Sequence, residues 1–212
     1  KDQLSLKTPI ICYNGACVVD GDSGENLLHY TLQEEVSREI VRLSREHQLH
    51  LHTFMNHNLL FEPESAEADE YEISSRFTGK TVNFDEIPEL MFTKAMFIGS
   101  REHIDRVYSH LEKRYPGMLY MVYTFLDYFE IMDIRAGKQK ALAHILDLMG
   151  IAPEETMAIG DADNDLDMMT WVQYGVAMGN APLHVRSSVS RTALTNDQDG
   201  AARYLADFMG IE

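Results

Sequence analysis

From residue 138 onward, short apolar runs alternate strictly with segments of helical period, and no other feature restricts the fold as much. Residues 138–149 read as a helix ended by Gly150, with Pro153 opening the next loop. Residues 156–159 then read as a strand, 163–172 as a helix, 176–178 as a strand, 182–188 as a short helix, 191–194 as a strand and 200–209 as the closing helix. A helix in every connection implies strands that run parallel, because antiparallel neighbours need only tight turns. The expected fold class is α/β, with a parallel sheet carrying helices on both faces.

The preceding residues have a different texture. Residues 8–13 read as a buried strand ending at Asn14-Gly15, and Val18-Val19 leads into a turn signal at residues 20–24. Residues 32–46 carry Val36, Ile40, Val41 and Leu43 at helical spacing, and residues 49–54 alternate like a strand. The acidic stretch 62–72 is expected to be a solvated loop. A further set follows: strand 93–98, helix 102–115 stopped by Pro116-Gly117, strand 119–125 and strand 129–134. The change of texture predicts two domains. One is a core made of residues 1–19 and 130–212, and the other is an inserted α+β cap, residues 20–129. No internal repeat is evident.

Charge narrows the function classes. Asp plus Glu is 34 against 18 Lys plus Arg, a net charge of −16, which repels phosphate backbones and anionic lipid and argues against nucleic-acid or membrane-surface partners. A small anionic substrate would need a local cation or a metal. No apolar run reaches membrane-spanning length, no charged-then-apolar leader is read at the start, and the expected location is cytoplasmic. Cys12 and Cys17 read as lying on one strand and its exit. Their odd separation is expected to put them on opposite faces, unbridged, as thiols of a reducing compartment.

The most informative segment is Ile159-Gly160-Asp161-Ala162-Asp163-Asn164-Asp165-Leu166-Asp167, with alternating aspartates at the carboxyl end of an apolar strand. Ligands of open α/β sheets sit outside such strand ends. Like charges this close require a cation or raise each other's pKa, and all-oxygen donors suit a hard ion such as Mg²⁺. A calcium loop of the EF-hand type would need Gly and Glu where Leu166 and Val172 stand, so that reading fails. Asp163 and Asp167 are individually better read as caps of the following helix. Lys138, at the start of a helix after Gly137, is badly placed for the helix dipole and makes sense opposite an anion.

Together these segments resemble the haloacid-dehalogenase superfamily, specifically its Cof-type sugar-phosphate phosphatases with an α/β cap. The resemblance is carried by CYNGA (12–16), EIMDIRAGKQKAL (130–142), AIGDADNDLDM (158–168), GVAMGNA (175–181) and NDQDGAARYL (196–205). It implies a Mg²⁺-dependent phosphatase acting on small phosphorylated metabolites, with an aspartyl-phosphate intermediate. By motif, Asp161 resembles a magnesium ligand and Asp165 a ligand or a partner of one. Asn164 resembles a phosphate or metal-water contact, and Lys138 the lysine that balances charge on nucleophile and phosphoryl group. Asn14 and Asn180 resemble further substrate or phosphate contacts in nearby loops. Two other readings stay open: an inert chain that binds metal, phosphate or a protein partner, and a phosphomutase with the same core.

The family's D-x-D-G-T motif, which carries the nucleophile, occurs nowhere in the 212 residues. By resemblance the chain starts just before the third core strand, so about two βα units, on the order of 60 residues, are expected to lie outside it. The strand of Ile10 and that of Ile159 would otherwise stand roughly 14 Å apart with bare edges between them. The fragment alone is therefore expected to be inactive. The remaining signals are weaker. His50, His52 and His57 read as polar strand residues of the cap rather than a metal site. Met168, Met169 and Met178 read as core filler. Tyr123, Phe125, Tyr128 and Phe129 fit either core or pocket lining.

Overall fold

The computed structural model describes residues 7–62, 66–125 and 127–211, and the chain divides into two compact units after Ala136. The first unit opens with an antiparallel meander: β1 (Ile10–Cys12), β2 (Cys17–Val19) and β3 (Asn26–His29), in that order. Asp20 supplies the second turn, its Oδ1 accepting the N–H groups of Asp22 and Ser23, which is the local bonding that makes Asp a turn residue. The cysteine expectation is corrected here. The chain folds back between them, so Cys12 and Cys17 are direct cross-strand partners and share a face. Both are free thiols. Burial, and then the charge of Cys12, pushes the Cys17 thiol up to about 11.

Next come α1 (Glu34–His47), β4 (His50–Met55), β5 (Asn58–Glu62), α2 (Ala66–Ser75), β6 (Lys80–Thr81), β7 (Lys94–Ile98), α3 (Arg101–Arg114), β8 (Leu119–Phe125) and β9 (Tyr128–Asp133). Their strands form one sheet in the order β6-β5-β4-β7-β9-β8, antiparallel except for the β5–β6 pair. Alternation divides the sheet's side chains between its faces. Leu51, Leu60, Ala95, Phe97, Phe129 and Ile131 pack with Val36, Ile40 and Leu43 of α1 and with Ile104, Val107 and Leu111 of α3. Burying Phe97 and Phe129 fully contributes about 2–3 kcal/mol each. Phe129 is thus core, and Tyr123 packs against it. The opposite face carries His52, Phe54, Lys94, Met96 and Glu130.

Two departures from the sequence reading lie in this unit. The acidic stretch 62–72 is not a loop throughout, since α2 begins at Ala66. Ala and Glu are strong helix formers, and Tyr71 anchors the helix with its ring 4.6 Å from that of His52. Residues 63–65 lie outside the described residues. Secondly, β3 follows the hairpin-type turn signal at residues 20–24, whereas β5 arises from a hairpin that the pattern did not reveal. The β4–β5 turn uses Asn56 and His57, both at positive φ (49° and 61°), as a two-residue primed turn requires.

The second unit contains α4 (Lys138–Met149), β10 (Met157–Gly160), α5 (Leu166–Trp171), β11 (Tyr174–Ala177), α6 (Leu183–Ser187), β12 (Arg191–Thr192) and α7 (Gly200–Met209). β10, β11 and β12 are parallel in that order, as the alternation requires. One face buries Ala158 against Leu142 of α4, Met169 of α5 and Val185 of α6. The other places Ile159 and Val176 against Ala201 and Tyr204 of α7. Met169 and Met178 are buried, as expected. Among the described residues no helix is long and apolar enough to cross a membrane.

Candidate active site

The acidic loop leaves β10 at Gly160 and passes through a 3-10 turn, Asp163–Asp165, into α5. Asp165 organises it. Its side chain is 6% exposed and pairs with Lys138, Nζ to Oδ1 at 2.6 Å. Its Oδ2 accepts the backbone N–H groups of Asp161 (3.1 Å) and Ala162 (3.2 Å). Asp165 stands at the N-cap of α5 but makes no side-chain cap bond to it, its carboxylate turning back to the upstream amides. Asp163 is instead paired with His184, Nε2 to Oδ1 at 2.6 Å, a partner the motif reading missed because it lies on a separate helix, α6.

Two glycines permit this arrangement. A Cβ on Gly160 would stand 2.4 Å from the Asp165 Cβ and 2.7 Å from its Cγ, so only glycine lets that carboxylate fold back beneath the strand end. Gly137 has φ 148° and serves as the N-cap of α4. Lys138 follows it as the first helical residue, and the unfavourable dipole contact is offset by the Asp165 carboxylate. Lys138 remains 27% exposed. An ammonium has three donors, so the single bond to Asp165 leaves two for another acceptor.

Asp161 is exposed. Its Oδ2 accepts from Asn180 Nδ2 at 3.3 Å, and Asn180 is held in turn by the Asn196 N–H on its Oδ1 at 3.0 Å. The loop of Asn180 thus engages one oxygen of Asp161, Oδ2, on an exposed residue. Asn164 is half-buried within the same turn. The second unit therefore brings Lys138, Asp161, Asn164, Asp165 and Asn180 into one loop cluster, five of the six side chains picked out from sequence. A hard divalent cation fits this donor set, since Mg²⁺ takes one or two protein carboxylates and keeps several waters. No group of three His, Cys, Asp or Glu side chains with metal-binding geometry occurs among the described residues.

Asn14 belongs to the first unit. It sits in the Tyr13–Gly15 turn, with φ of 52°, 51° and 92° at its three residues, and its Nδ2 donates to Glu130 Oε2 at 2.5 Å. The Tyr13 ring packs 5.2 Å from Phe54 and 6.2 Å from His57. Burial, with smaller contributions from the cysteines and Tyr71, pushes its phenol up to about 12. His52 is fully buried, and its ring lies 4.6 Å from that of His50.

Comparison with known proteins gives a consistent result. The model of the haloacid dehalogenase-like hydrolases matches residues 1–205. A 5-amino-6-(5-phospho-D-ribitylamino)uracil phosphatase of Bacillus subtilis (strain 168) is 28% identical over 220 residues, spanning 99% of this chain and 79% of its own. An HMP-PP phosphatase of Enterobacter sp. (strain 638) is 28% identical over 178 residues, spanning 84% of this chain and 65% of its own. A haloacid dehalogenase-like hydrolase from Bacteroides thetaiotaomicron shares the fold with a TM-score of 0.87 at 26% identity, covering 95% of this chain and 77% of that one.

Proposed function

The chain belongs to the haloacid dehalogenase-like hydrolases, and from that premise we propose that it carries the lysine–aspartate half of a Mg²⁺-dependent phosphatase acting on small phosphorylated metabolites, sugar phosphates foremost. The observation that carries the reading is the Lys138–Asp165–Asp161 arrangement. An ammonium with two donors to spare and a carboxylate with only one oxygen engaged are joined through Asp165 at a parallel strand end. The names of the relatives, phosphatases of small phosphorylated compounds, support it.

In this reading residues 1–19 and 130–212 are the core, and residues 20–129 are the cap. Lys138 donates to a phosphoryl oxygen while Asp165 fixes its position and keeps the pair neutral. Asp161, and Asp165 through its hold on the loop, make the metal position; Asn164 and Asn180 line it. Bound Mg²⁺ would lessen the repulsion between an anionic nucleophile and an anionic phosphate. The route is an aspartyl-phosphate. A carboxylate oxygen bonds to phosphorus as the leaving-group oxygen departs with a proton, and water then releases inorganic phosphate and restores the carboxylate. That nucleophile is contributed from outside these 212 residues, which contain no D-x-D-G-T.

The test is hydrolysis of p-nitrophenyl phosphate by the protein expressed from its own gene, with and without Mg²⁺. Asp161→Asn should lower kcat/KM by at least about a hundredfold, and Lys138→Met by a similar factor. Undiminished turnover with Asp161 replaced would refute the assignment.

A further inference from the structure

The chain reversal at Tyr13–Gly15 sets two thiols opposite one another, and the proposed chemistry uses neither. Cys12 closes β1 and Cys17 opens β2, and they are direct partners in the antiparallel pair. Directly opposed residues have Cα atoms about 4.5 or 5.5 Å apart, according to their place in the ladder. A disulfide spans Cα separations of about 4.4–6.8 Å, so either spacing suits one. Their charges couple as well. Cys12 adds to the burial that raises the Cys17 thiol, and both thiols add to the burial that raises the Tyr13 phenol.

Packing does not call for sulfur at both positions. Strands favour β-branched side chains, and Ile10, Ile11, Val18 and Val19 fill the rest of this pair. What a second thiol opposite the first adds is the capacity for exchange. The two also differ in access. Cys17 is fully buried and its thiol donates to Asn26 Oδ1 at 3.4 Å, whereas Cys12 is half-buried. A dissolved disulfide can therefore meet Cys12, and Cys17 has only to meet Cys12. Burial raises both thiols, which slows exchange at neutral pH because the thiolate is the nucleophile. The same burial gives the reduced pair no advantage at equilibrium, since a dithiol is favoured where its thiolate is stabilised.

We propose that Cys12 and Cys17 are a reversible redox pair, closing to a disulfide across the Tyr13–Gly15 turn by exchange with a low-molecular-weight disulfide such as oxidised glutathione. The Cys12 thiol loses its proton and attacks one glutathione sulfur, the glutathione disulfide breaks, and one glutathione leaves as its thiolate. The Cys17 thiol then loses its proton and attacks the Cys12 sulfur, and the second glutathione leaves. Two electrons and two protons pass from the pair, and one oxidised glutathione becomes two thiols. The closed ring encloses residues 13–16, with φ of 52°, 51° and 92° at Tyr13, Asn14 and Gly15. A bridge there removes the open conformations that an unlinked turn can reach. None of this draws on the phosphatase reading.

The test equilibrates the protein from its own gene with mixtures of oxidised and reduced glutathione in mildly alkaline buffer, starting from both the oxidised and the reduced protein. Remaining thiols are trapped with N-ethylmaleimide in urea. Cys12 and Cys17 are the only cysteines of these 212 residues, and trypsin releases both on one peptide, residues 8–38. Closure appears as that peptide unlabelled and lighter by two hydrogens, a change that dithiothreitol reverses. The value of [GSH]²/[GSSG] at half closure should be at least about tenfold higher for the folded protein than for the same chain in urea, because strand register supplies the proximity. Cys17→Ala should stop at a Cys12–glutathione adduct, and Cys12→Ala should leave Cys17 unmodified while folded. The comparison with urea needs no variant, so it decides even where a replacement fails to fold. Closure as easy or easier in urea would overturn the proposal, as would a wild-type Cys12–glutathione adduct that persists in the folded protein.

Discussion

Replacing Asp165 by Ala tests the organisation of the acidic loop directly. The carboxylate accepts three hydrogen bonds, from Lys138 Nζ at 2.6 Å and from the amides of Asp161 and Ala162 at 3.1 and 3.2 Å. Its side chain is 6% exposed, against 27% for Lys138. Breaking a buried pair by removing one partner costs about 3–5 kcal/mol, but the half-open lysine can turn to water, which reduces its share to about 1–2 kcal/mol. Two amides losing a charged acceptor add about 0.5–1 kcal/mol each. The expected destabilisation is therefore about 2–4 kcal/mol. It is read from urea unfolding of the 212-residue chain if that chain folds alone, and otherwise of the protein from its own gene. Lys138→Met should cost less, because the carboxylate keeps both amides. The double variant should fall short of additivity by about 1–2 kcal/mol. A loss below about 1 kcal/mol for Asp165→Ala, or strict additivity, would mean that Asp165 does not hold the loop together.

Two further outcomes concern one residue of that loop and one ion pair of the first unit. Gly160→Ala inserts a Cβ 2.4 Å from the Asp165 Cβ and should cost about 1–3 kcal/mol by overpacking, with divalent-cation affinity falling alongside stability; calorimetry with Mn²⁺ measures the second effect, and unchanged affinity would refute it. In the first unit, hydrogen bonding from Arg42, and then from His110, pulls the Glu39 carboxyl down to about 2 against burial that raises it. A depressed folded pKa gives stability that is complete above about pH 4.5 and is lost as pH falls towards 2. Because Arg42 and His110 are 50% and 40% exposed, the effect is about 1 kcal/mol. Glu39→Gln should therefore flatten the acid limb of stability between pH 5 and pH 2.5, and an unchanged limb would show that the contacts are screened out.

The site in the second unit was legible because its members are local in sequence or carried by ordered motifs. Gly160, Asp161, Asn164 and Asp165 lie within one strand–turn–helix segment, and Lys138 and Asn180 follow glycines at neighbouring strand or helix ends. What the sequence did not reveal was the division of labour among the aspartates. Alternation marks all four as acidic loop residues, yet Asp165 alone turns inward, since Gly160 leaves space there and Lys138 stands opposite. His184 escaped notice for the same reason: its bond to Asp163 joins separate elements.

By itself the sequence determined the α/β class, the parallel β10–β12 sheet and the helices α1, α3, α4 and α7, because hydrophobic period and glycine or proline punctuation are local properties. Tertiary structure decided the rest. The Cys12–Cys17 pairing depends on a chain reversal at Tyr13–Gly15, and α2 forms where its Tyr71 meets the sheet. Lys94, Glu130 and Asn14 come from three distant stretches, and although Asn14 is picked out by motif, Lys94 and Glu130 look like ordinary polar residues in theirs. They become a charged group only when cross-strand register places them together on one face, and register is a property of paired strands that no single strand encodes.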